Sequence, residues 1–333
     1  MDILNALVVI LNVLVVPGLA YGSQLALGAL GVTLIYGILR FSNFAHGDTM
    51  AFGTAICILL TWGLQAMGIS LGPLPTALLA LPGAIALTAL AVLATDRLVY
   101  RHYRRVRAKS IVIVMVSVGV MFVMNGLTRL LIGVDEIRFD DGVRFVIAVR
   151  DFRDWTGLGE GLALRGTQVL SVVTAFICMA WLFWFLNRTR SGKAMRAFSD
   201  NEDLALLSGI DPERVVRLTW IIASGLAVIA GTLYGLDKAF RAFNYFQILL
   251  PIFAAAIVGG LGSPLGAIAG GFIVAFSEIA VTYPWKKVAG YLGYDAEGLL
   301  QLLSTEYKFA VSFVILIVVL LFRPTGLFRG KAY

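Results

Sequence analysis

Charged side chains are scarce in this chain of 333 residues. Asp, Glu, Lys and Arg make up 14% of it, whereas soluble domains contain about a quarter. Hydrophobic residues make up 59%, the mean hydropathy is +0.88, and several apolar runs reach the roughly 20 residues that cross a bilayer as a helix. The composition excludes a soluble protein and predicts an all-α fold, a polytopic transmembrane bundle of about 8–10 membrane segments with broken helices.

Long polar blocks are also missing, which limits the domain organisation. The longest polar stretches, 133–166 and 187–214, are too short to fold as domains of their own. We therefore expect a single transmembrane domain over residues 1–333. The first basic residue is Arg40, so the positively charged leader of a secretory signal is absent, and we expect the N-terminal segment to remain attached.

Cysteine and histidine each occur only twice. Cys57 and Cys178 lie in apolar segments, which argues against a disulfide framework or a metal knuckle. His46 and His102 have no second metal ligand at helical spacing. We therefore expect no metal site and no catalytic residues.

A nucleotide-binding loop is missing as well. GGLGSPLG at 259–266 has no following Lys with Ser or Thr, and SGKA at 191–194 lacks the earlier glycine that such a loop requires. We therefore expect that the chain is not an enzyme and binds no cofactor. If ATP drives its activity, partner subunits must hold the ATP and Mg.

Hydropathy predicts ten membrane segments. Pro17-Gly18 is expected to break the helix after the first one, whose roughly 15 residues reach only about 22 Å. The sequence therefore leaves open whether this segment crosses the membrane. The predicted segments are 3–17, 19–39, 49–67, 74–95, 111–132, 167–186, 215–236, 246–262, 264–283 and 305–322.

Basic residues predict the orientation. DRLVYRHYRRVRAK at 96–109 holds six Lys or Arg against one acid, and the tail 322–333 is purely basic, which places both in the cytoplasm. Segment 133–166 holds five Arg against seven acids and is expected to form a compact cap on the other side. The net charge of +7 then follows from membrane topology, not from nucleic-acid binding.

Two irregular stretches interrupt the apolar sequence, FSNFAHGD at 41–48 and the glycine block VGGLGSPLGAIAGG at 258–271. Irregular backbone at membrane depth is tolerated only where protein or a water-filled path covers it. Paired breaks in two halves of a chain point to the translocation path of a transporter. The candidate path residues are Asn43, His46, Asp48, Gly259, Gly260, Gly262, Ser263 and Pro264.

The first break also allows a catalytic interpretation. Ser42, His46 and Asp48 are the residue types of a nucleophilic triad, but polar residues at a helix end more often cap backbone groups. We expect Asn43 and Asp48 to cap helix ends and His46 to pack against the bundle.

The polar stretch 187–214 faces the predicted cytoplasmic side. Ser191 is expected to cap a short amphipathic helix that ends at Gly209, and Asp211-Pro212 to begin the next helix. Such a helix can rest on lipid headgroups or dock a cytoplasmic partner. Three acidic residues disfavour contact with anionic lipid. They are Asp200, Glu202 and Asp203.

Four separated motifs together resemble the permease subunit of branched-chain amino acid ABC importers, in particular the H-type permeases of the high-affinity leucine, isoleucine and valine systems. The resemblance runs from about residue 19 to 328. The motifs are NFAHGD at 43–48, RTRSGKAMRAFSDNEDLALLSGID at 188–211, VGGLGSPLGAIAGG at 258–271 and RPTGLF at 323–328.

The resemblance implies a multi-pass protein of the bacterial inner membrane. Its partners would be a second homologous permease subunit, two cytoplasmic ATPase subunits that bind ATP and Mg, and a periplasmic substrate-binding protein. Residues 133–166 would be a periplasmic loop, and 187–214, here called the coupling loop, would contact the ATPase. The coupling-loop residues that fit the family pattern are Arg188, Thr189, Arg190, Gly192, Ala194, Arg196, Ala197, Ala205, Gly209 and Ile210.

The substrate stays open at this point. The same family includes permeases for urea or short amides, and nothing in the membrane helices distinguishes leucine from urea. The alternative from a different class is a stand-alone channel or ion-coupled carrier. An ion-coupled carrier needs acidic groups at mid-membrane, and Glu278, near the outer end of its helix, is the only acid well inside a segment.

Overall fold

A computed structural model describes residues 2–138, 142, 145–294, 298, 300–304, 307–323 and 325–328. Among these residues, eight helices are long and apolar enough to cross a membrane, and a shorter apolar helix, Lys308–Phe322, follows them. The predicted all-α polytopic fold is confirmed. Residues 305 and 306 of the last predicted segment and Pro324 of the tail motif lie outside the described residues.

The elements are α1 Asp2–Ile10, α2 Val16–Leu39, α3 His46–Ala66, α4 Ala77–Thr95, α5 Arg101–Arg105, α6 Ser110–Ile132, β1 Phe145–Ile147, α7 Val149–Thr156, β2 Leu164–Arg165, α8 Gly166–Arg188, α9 Arg190–Asp200, α10 Glu202–Leu207, α11 Pro212–Lys238, α12 Ala242–Gly259, α13 Pro264–Thr282, α14 Lys286–Tyr291 and α15 Lys308–Phe322. Two π-helical turns join α1 to α2 and α4 to α5.

The predicted break at Pro17-Gly18 is wrong. Asp2–Leu39 is one continuous helix of 38 residues. Proline lacks a backbone N–H and crowds the carbonyl four residues earlier, which disfavours it inside an α-helix. Here the wider π turn Leu11–Val15 lies just before Pro17, and the Val16 N–H bonds to the carbonyl of Leu11. Segments 3–17 and 19–39 are therefore a single helix.

The helix predicted at 74–95 also continues further than expected. The π turn Asp96–Tyr100 joins α4 to α5, so most of the predicted loop 96–109 is helical. Asp96 is buried, and its carboxylate accepts hydrogen bonds from Trp220 Nε1 at 2.7 Å and Arg104 Nη2 at 3.0 Å. A carboxylate paired in this way can continue an apolar helix, which hydropathy alone does not reveal.

The two ends of the bundle are distinguished by their loops. The basic end carries Arg40 and residues 106–109, 189–211 and 260–263, and the opposite end carries 133–165 and α14. The N-terminal helix reaches the opposite end, where Asn5 Oδ1 accepts the Glu160 N–H at 3.2 Å. The tail reaches the basic end, where the Leu327 N–H donates to the Val258 carbonyl at 2.8 Å. The first and last described residues, Asp2 and Phe328, therefore lie at opposite ends, whereas ten crossings would have placed the ends of the chain on one side.

Glycine brings the central helices into close contact. α2 packs against α8, α11, α12 and α13. A Cβ added at Gly271 of α13 would lie 2.7 Å from the backbone nitrogen of Ala26 in α2. One added at Gly270 would lie 2.0 Å from the carbonyl oxygen of Ala255 in α12. Small residues let membrane helices pack backbone to backbone in this way, so larger residues would separate the helices.

The described residues of 133–166 form a small cap at the opposite end, while 139–141, 143 and 144 lie outside the described part. β1 pairs antiparallel with β2. Glu160 ties the cap to α14 by accepting hydrogen bonds from Lys287 Nζ and Tyr291 Oη. Burial by itself would raise the pKa of Glu160, but these two hydrogen bonds and the charges of Lys287 and Arg153 outweigh burial and lower that pKa.

Candidate functional site

Residues 40–45, here called the re-entrant segment, fold back into the bundle after α2 ends. Three hydrogen bonds show that the chain runs along α6 from its first residue toward its far end. They join Arg40 O to Ser110 Oγ (3.3 Å), Phe44 N to Ser117 Oγ (3.1 Å) and Asp48 Oδ1 to Asn125 Nδ2 (2.6 Å). From Ser110 to Asn125, α6 rises about 22 Å at roughly 1.5 Å per residue. α3 therefore begins deep inside the bundle, not at its surface.

Asn43 supports the backbone of this segment. It is buried, and its Oδ1 accepts hydrogen bonds from the Ala45 N–H and the Tyr100 hydroxyl, each at 3.2 Å. Backbone groups away from water need partners within the protein, and an Asx turn supplies one. Asn43 does not cap α3 as predicted, because Ala45 occupies the N-cap position and makes no side-chain cap.

Asp48 and His46 point to different helices. Asp48 does not cap α3; it lies in the first turn and bonds to Asn125 of α6, at a helix end whose dipole favours a negative charge. His46 is buried against α2, where a Cβ added at Gly31 would lie 2.6 Å from the imidazole Cε1. The predicted packing of His46 is confirmed. This divergence does not suit a catalytic triad, whose base and acid must meet.

The second predicted break is confirmed at residues 260–263. α12 ends at Gly259 and α13 begins at Pro264. Ser263 caps α13 by accepting the Gly266 N–H at 3.1 Å. Proline suits the first position of a helix because its missing N–H would have no helical partner there. Residues 258–271 therefore belong to two helices joined by a tight turn.

The tail covers this second break. The Leu327 and Phe328 N–H groups donate to the carbonyls of Val258 and Gly259 at 2.8 and 3.0 Å. These are carbonyls of the last turn of α12, which lack partners within the helix. Gly260 has φ +112°, and a Cβ there would lie 2.2 Å from the Phe328 carbonyl oxygen. Only glycine fits this close approach.

The coupling loop forms two short helices, where one was predicted. Thr189, not Ser191, caps α9, and its hydroxyl accepts the Gly192 N–H at 3.0 Å. Asn201 has an extended backbone that ends α9, and it caps α10 by accepting the Leu204 N–H at 3.0 Å. Asn is one of the best N-cap residues, which explains why a new helix starts there.

The exit from the coupling loop matches the prediction. Gly209 has φ +80° just after α10. Asp211 caps α11 by accepting the Glu213 N–H at 2.9 Å, and Pro212 is the first residue of that helix.

Most of the family-like residues of the coupling loop face the bundle. Gly192 is buried, and a Cβ there would lie 2.1 Å from the Phe185 carbonyl oxygen of α8. Arg196 Nη1 donates to Asn187 Oδ1 at 2.9 Å. The buried or half-buried members are Thr189, Gly192, Ala194, Arg196, Ala205 and Ile210, and the exposed members are Arg188, Arg190, Ala197 and Gly209.

The outward surface of the coupling loop comes from residues outside that set. Leu204, Leu206 and Leu207 of α10, here called the α10 face, are 61%, 43% and 85% exposed. The predicted acidic residues, Asp200, Glu202 and Asp203, are exposed beside them. Exposed apolar residues with a polar rim mark interaction sites. The signal in the sequence is the apolar run LALL directly after these acids.

The structure brings three of the four motifs together around the end of α2, namely the coupling loop, the glycine block and the tail. Ser199 Oγ of α9 donates to the Gly37 carbonyl at 3.0 Å, and the Arg40 guanidinium donates to the Ser199 carbonyl. The Cα of Gly262, in the second break, lies 4.0 Å from a Cβ built at Gly37. Through Gly260 the same turn contacts the tail. The coupling loop, the second break and the tail therefore form one site at the basic end, and the first break leads from Arg40 of this site into the bundle.

The polar side chains of this site are engaged by other parts of the chain. Asn43, Asp48 and Arg40 bind neighbouring residues of the chain. No group of three or more His, Cys, Asp or Glu side chains that could hold a metal ion occurs within the described ranges. The hydrogen bonds of Ser199 with Gly37 and Arg40 connect the coupling loop at the surface to α2 in the interior of the bundle.

Comparison with known proteins decides the family. The family described as the branched-chain amino acid transport system permease component matches residues 14–320. The chain belongs to this family. The resemblance carried by the four motifs is confirmed, and as a member of the branched-chain amino acid permease family the chain is a multi-pass membrane protein of a transport system.

Individual permeases match over nearly their whole length. The high-affinity branched-chain amino acid transport system permease protein LivH of Escherichia coli (strain K12) is 31% identical over 93% of this chain and 92% of its own. BraD of Pseudomonas aeruginosa is 30% identical over 94% of both chains. A probable LivH of Methanocaldococcus jannaschii is 29% identical over 92% of this chain and 89% of its own. No solved structure matches the chain significantly.

Proposed function

We propose that the chain is the membrane-spanning permease subunit of an ATP-driven importer for branched-chain or related amino acids in a bacterial inner membrane. A periplasmic binding protein delivers the solute, a second homologous permease completes the path, and two cytoplasmic ATPase subunits bind ATP and Mg. The relatives LivH and BraD, which are permeases of high-affinity branched-chain amino acid transport systems, support this solute class. Urea and short amides are the alternatives within the family.

One observation carries this proposal. At the basic end, the coupling loop rests on α2 through Ser199 and Gly37, while the α10 face points away from the bundle. A partner that grips this loop therefore acts directly on the central helix. ATP binding that brings two ATPase subunits together would move each loop as a rigid body and tilt the bundles between inward and outward access.

The α10 face is the proposed docking surface for the ATPase. Its three leucines need an apolar groove, and the neighbouring acids need a basic rim. Anionic lipid headgroups would repel these acids, whereas residues 96–109 of the same end carry the opposite charge, with six Lys or Arg against one acid. The expected partner surface is therefore apolar in its centre and positively charged around it.

The two breaks are proposed to border the solute path at the basic end. Asn43, His46 and Asp48 are buried. Their proposed role is therefore to hold the residues that line the path, and not to contact the solute. The other side of the path is proposed to be the turn 260–263 with the helix ends that flank it, and its candidate residues are Gly259, Gly260, Gly262, Ser263 and Pro264. Opening of the path at this end requires these two breaks to separate.

Reconstitution tests the class of transporter. The chain is placed in proteoliposomes with its candidate second permease, ATPase subunits and binding protein, and labelled leucine uptake is measured. We expect uptake that needs ATP and every subunit. Uptake by this chain alone without ATP would indicate a stand-alone channel or ion-coupled carrier and would overturn the proposal.

The docking surface is tested by co-purification of the ATPase with a tagged permease. Leu204→Ser combined with Leu207→Ser should lower the retained ATPase about tenfold, which corresponds to about 1.4 kcal/mol of binding free energy. Leu302→Ser is the matched control, because Leu302 is 76% exposed but lies at the opposite end. Equal retention by the double variant and the control would contradict docking through the α10 face.

A further inference from the structure

The re-entrant segment has two anchors, of which one contacts the middle of the coupling loop and the other leads to the helix that follows the loop. Arg40 contacts Ser199 near the end of α9, the first helix of the loop. Asn43 contacts Tyr100, which packs against Trp220 in the helix that leaves the loop. A movement of the coupling loop therefore has two separate routes into the interior of the bundle.

Arg40 forms the first anchor. It ends α2 with φ 57°, a left-handed backbone that is uncommon for a residue with a side chain. Its guanidinium donates to the Ser199 carbonyl, which lies in the last turn of α9, where carbonyls lack helical partners and carry partial negative charge. The Ser199 hydroxyl in turn bonds to Gly37 at 3.0 Å. The ends of α2 and α9 are therefore held together, and the re-entrant segment starts at the joint.

Tyr100 forms the second anchor. Its hydroxyl donates to Asn43 Oδ1 at 3.2 Å, and its ring stacks on Trp220 with centroids 5.2 Å apart. Trp220 Nε1 donates to Asp96 Oδ1 at 2.7 Å. Asp96 and Tyr100 are the first and last residues of the second π turn, and π turns inside helices often occur at functional sites. Asn43 is thereby connected to α11.

An ion pair runs beside this second route but adds little to it. Arg101 Nε lies 3.2 Å from Glu213 Oε1, and the two side chains are 32% and 39% exposed. Solvent screens ion pairs that are exposed to this degree. Tyr100 and Trp220 are both buried, so their contact holds the second π turn and α11 together.

We propose that Arg40 and Tyr100 are positioning residues that transmit movement of the coupling loop to the re-entrant segment and the first turn of α3. This inference rests on the proposed function, because the loop moves only if ATPase subunits act on it. The segment between the anchors is not helical, so it changes shape more readily than α2 or α3. Its displacement moves His46 and Asp48, which pack against α2 and α6.

A transmitting role and a purely structural role predict different results. Loss of structural support lowers the amount of assembled transporter, and with it uptake and ATP hydrolysis in equal proportion. Loss of transmission leaves ATP hydrolysis running while uptake falls. The ratio of solute transported to ATP hydrolysed therefore separates the two roles.

The test uses the complete transporter in proteoliposomes and measures this ratio. We expect Arg40→Ala to lower it about tenfold, within the range of typical coupling between sites. Arg40→Lys should restore part of it, because lysine keeps a cationic donor. Tyr100→Phe, which removes one hydroxyl and keeps the stacked ring, should lower it about threefold. Arg105→Ala is the matched control, since Arg105 is an exposed arginine of the same end.

Two results would count against the inference, and a third would count against the proposed function. An unchanged ratio in Arg40→Ala overturns it, and if that variant does not assemble, Tyr100→Phe decides in the same way. A parallel fall of uptake and hydrolysis at constant ratio overturns it, because that result shows structural support alone. Wild-type transporter without ATP-dependent uptake contradicts the proposed function itself, so the two failures are distinguishable.

Discussion

Ser199 of α9 donates its hydroxyl hydrogen to the carbonyl oxygen of Gly37 in α2 at 3.0 Å. The two residues are 162 positions apart, yet this contact seats the coupling loop on the central helix of the bundle. The Arg40 guanidinium also holds the ends of α2 and α9 together, because it donates to the Ser199 carbonyl.

Replacing Ser199 should loosen the coupling loop. Ser199→Ala removes one hydrogen bond to the buried end of α2, at a cost of about 1 kcal/mol, so limited proteolysis near Asp203 should be about fivefold faster. Ser208→Ala is the control, since Ser208 is exposed and its hydroxyl bonds to the Leu204 carbonyl of the same helix. Equal cleavage rates for Ser199→Ala and wild type would contradict the seating of the loop through this contact.

Two glycine replacements should have opposite effects. Gly192→Ala would place a Cβ 2.1 Å from the Phe185 carbonyl oxygen and 2.6 Å from the Leu186 Cα, so the backbones of α8 and α9 must separate. Overpacking of this kind costs about 1–3 kcal/mol, and thermal unfolding in detergent should occur at a lower temperature. Gly126→Ala in α6 meets nothing within 4 Å and should be neutral or stabilising by up to about 1 kcal/mol. Similar shifts in both variants would argue against the close contact at Gly192.

The pair Asp48 and Asn125 should be exchangeable. Asn125→Ala leaves the buried Asp48 carboxylate without its donor at 2.6 Å, and an unsatisfied buried group costs about 1–3 kcal/mol. The double variant Asp48→Asn with Asn125→Asp keeps one amide and one acid in contact and should recover most of this loss. Denaturant unfolding in detergent measures the stability of the single and the double variant. A double variant no more stable than Asn125→Ala would refute the pairing of α3 with α6.

The cap at the opposite end should loosen in acid. Burial would raise the pKa of Glu160, but hydrogen bonds from Lys287 and Tyr291 and nearby positive charge lower it overall. A lowered pKa in the folded state stabilises the protein above the unfolded value of about 4.3, and this stabilisation is lost as pH falls through the folded value. At pH 6 the wild type should therefore unfold at a higher temperature than Glu160→Gln, and this difference in unfolding temperature should disappear below about pH 4. A constant difference across this range would rule out the linkage.

Breaks were predictable where a residue imposes its own backbone geometry. The turn before Pro264 and the start of α11 at Asp211-Pro212 lie where the sequence predicts them, because glycine, proline and a capping acid act on their immediate neighbours. Pro17 also predicts a break, but the wider π turn before it makes room for the proline ring, so the helix continues. Asp96 looked like the end of a helix because its partners, Trp220 and Arg104, are not visible in a local pattern.

Local pattern in the sequence was sufficient for the class of protein, for most of its long helices and for the family, because hydropathy, charge and motifs are properties of short stretches. Packing in three dimensions was needed for the contacts that make the site. Arg40 meets Ser199 across 159 positions, and Asp48 meets Asn125 across 77. Hydrogen bonds form only within a few tenths of an ångström of an optimal distance. The relative placement of whole helices sets that distance, and no short stretch of sequence contains it.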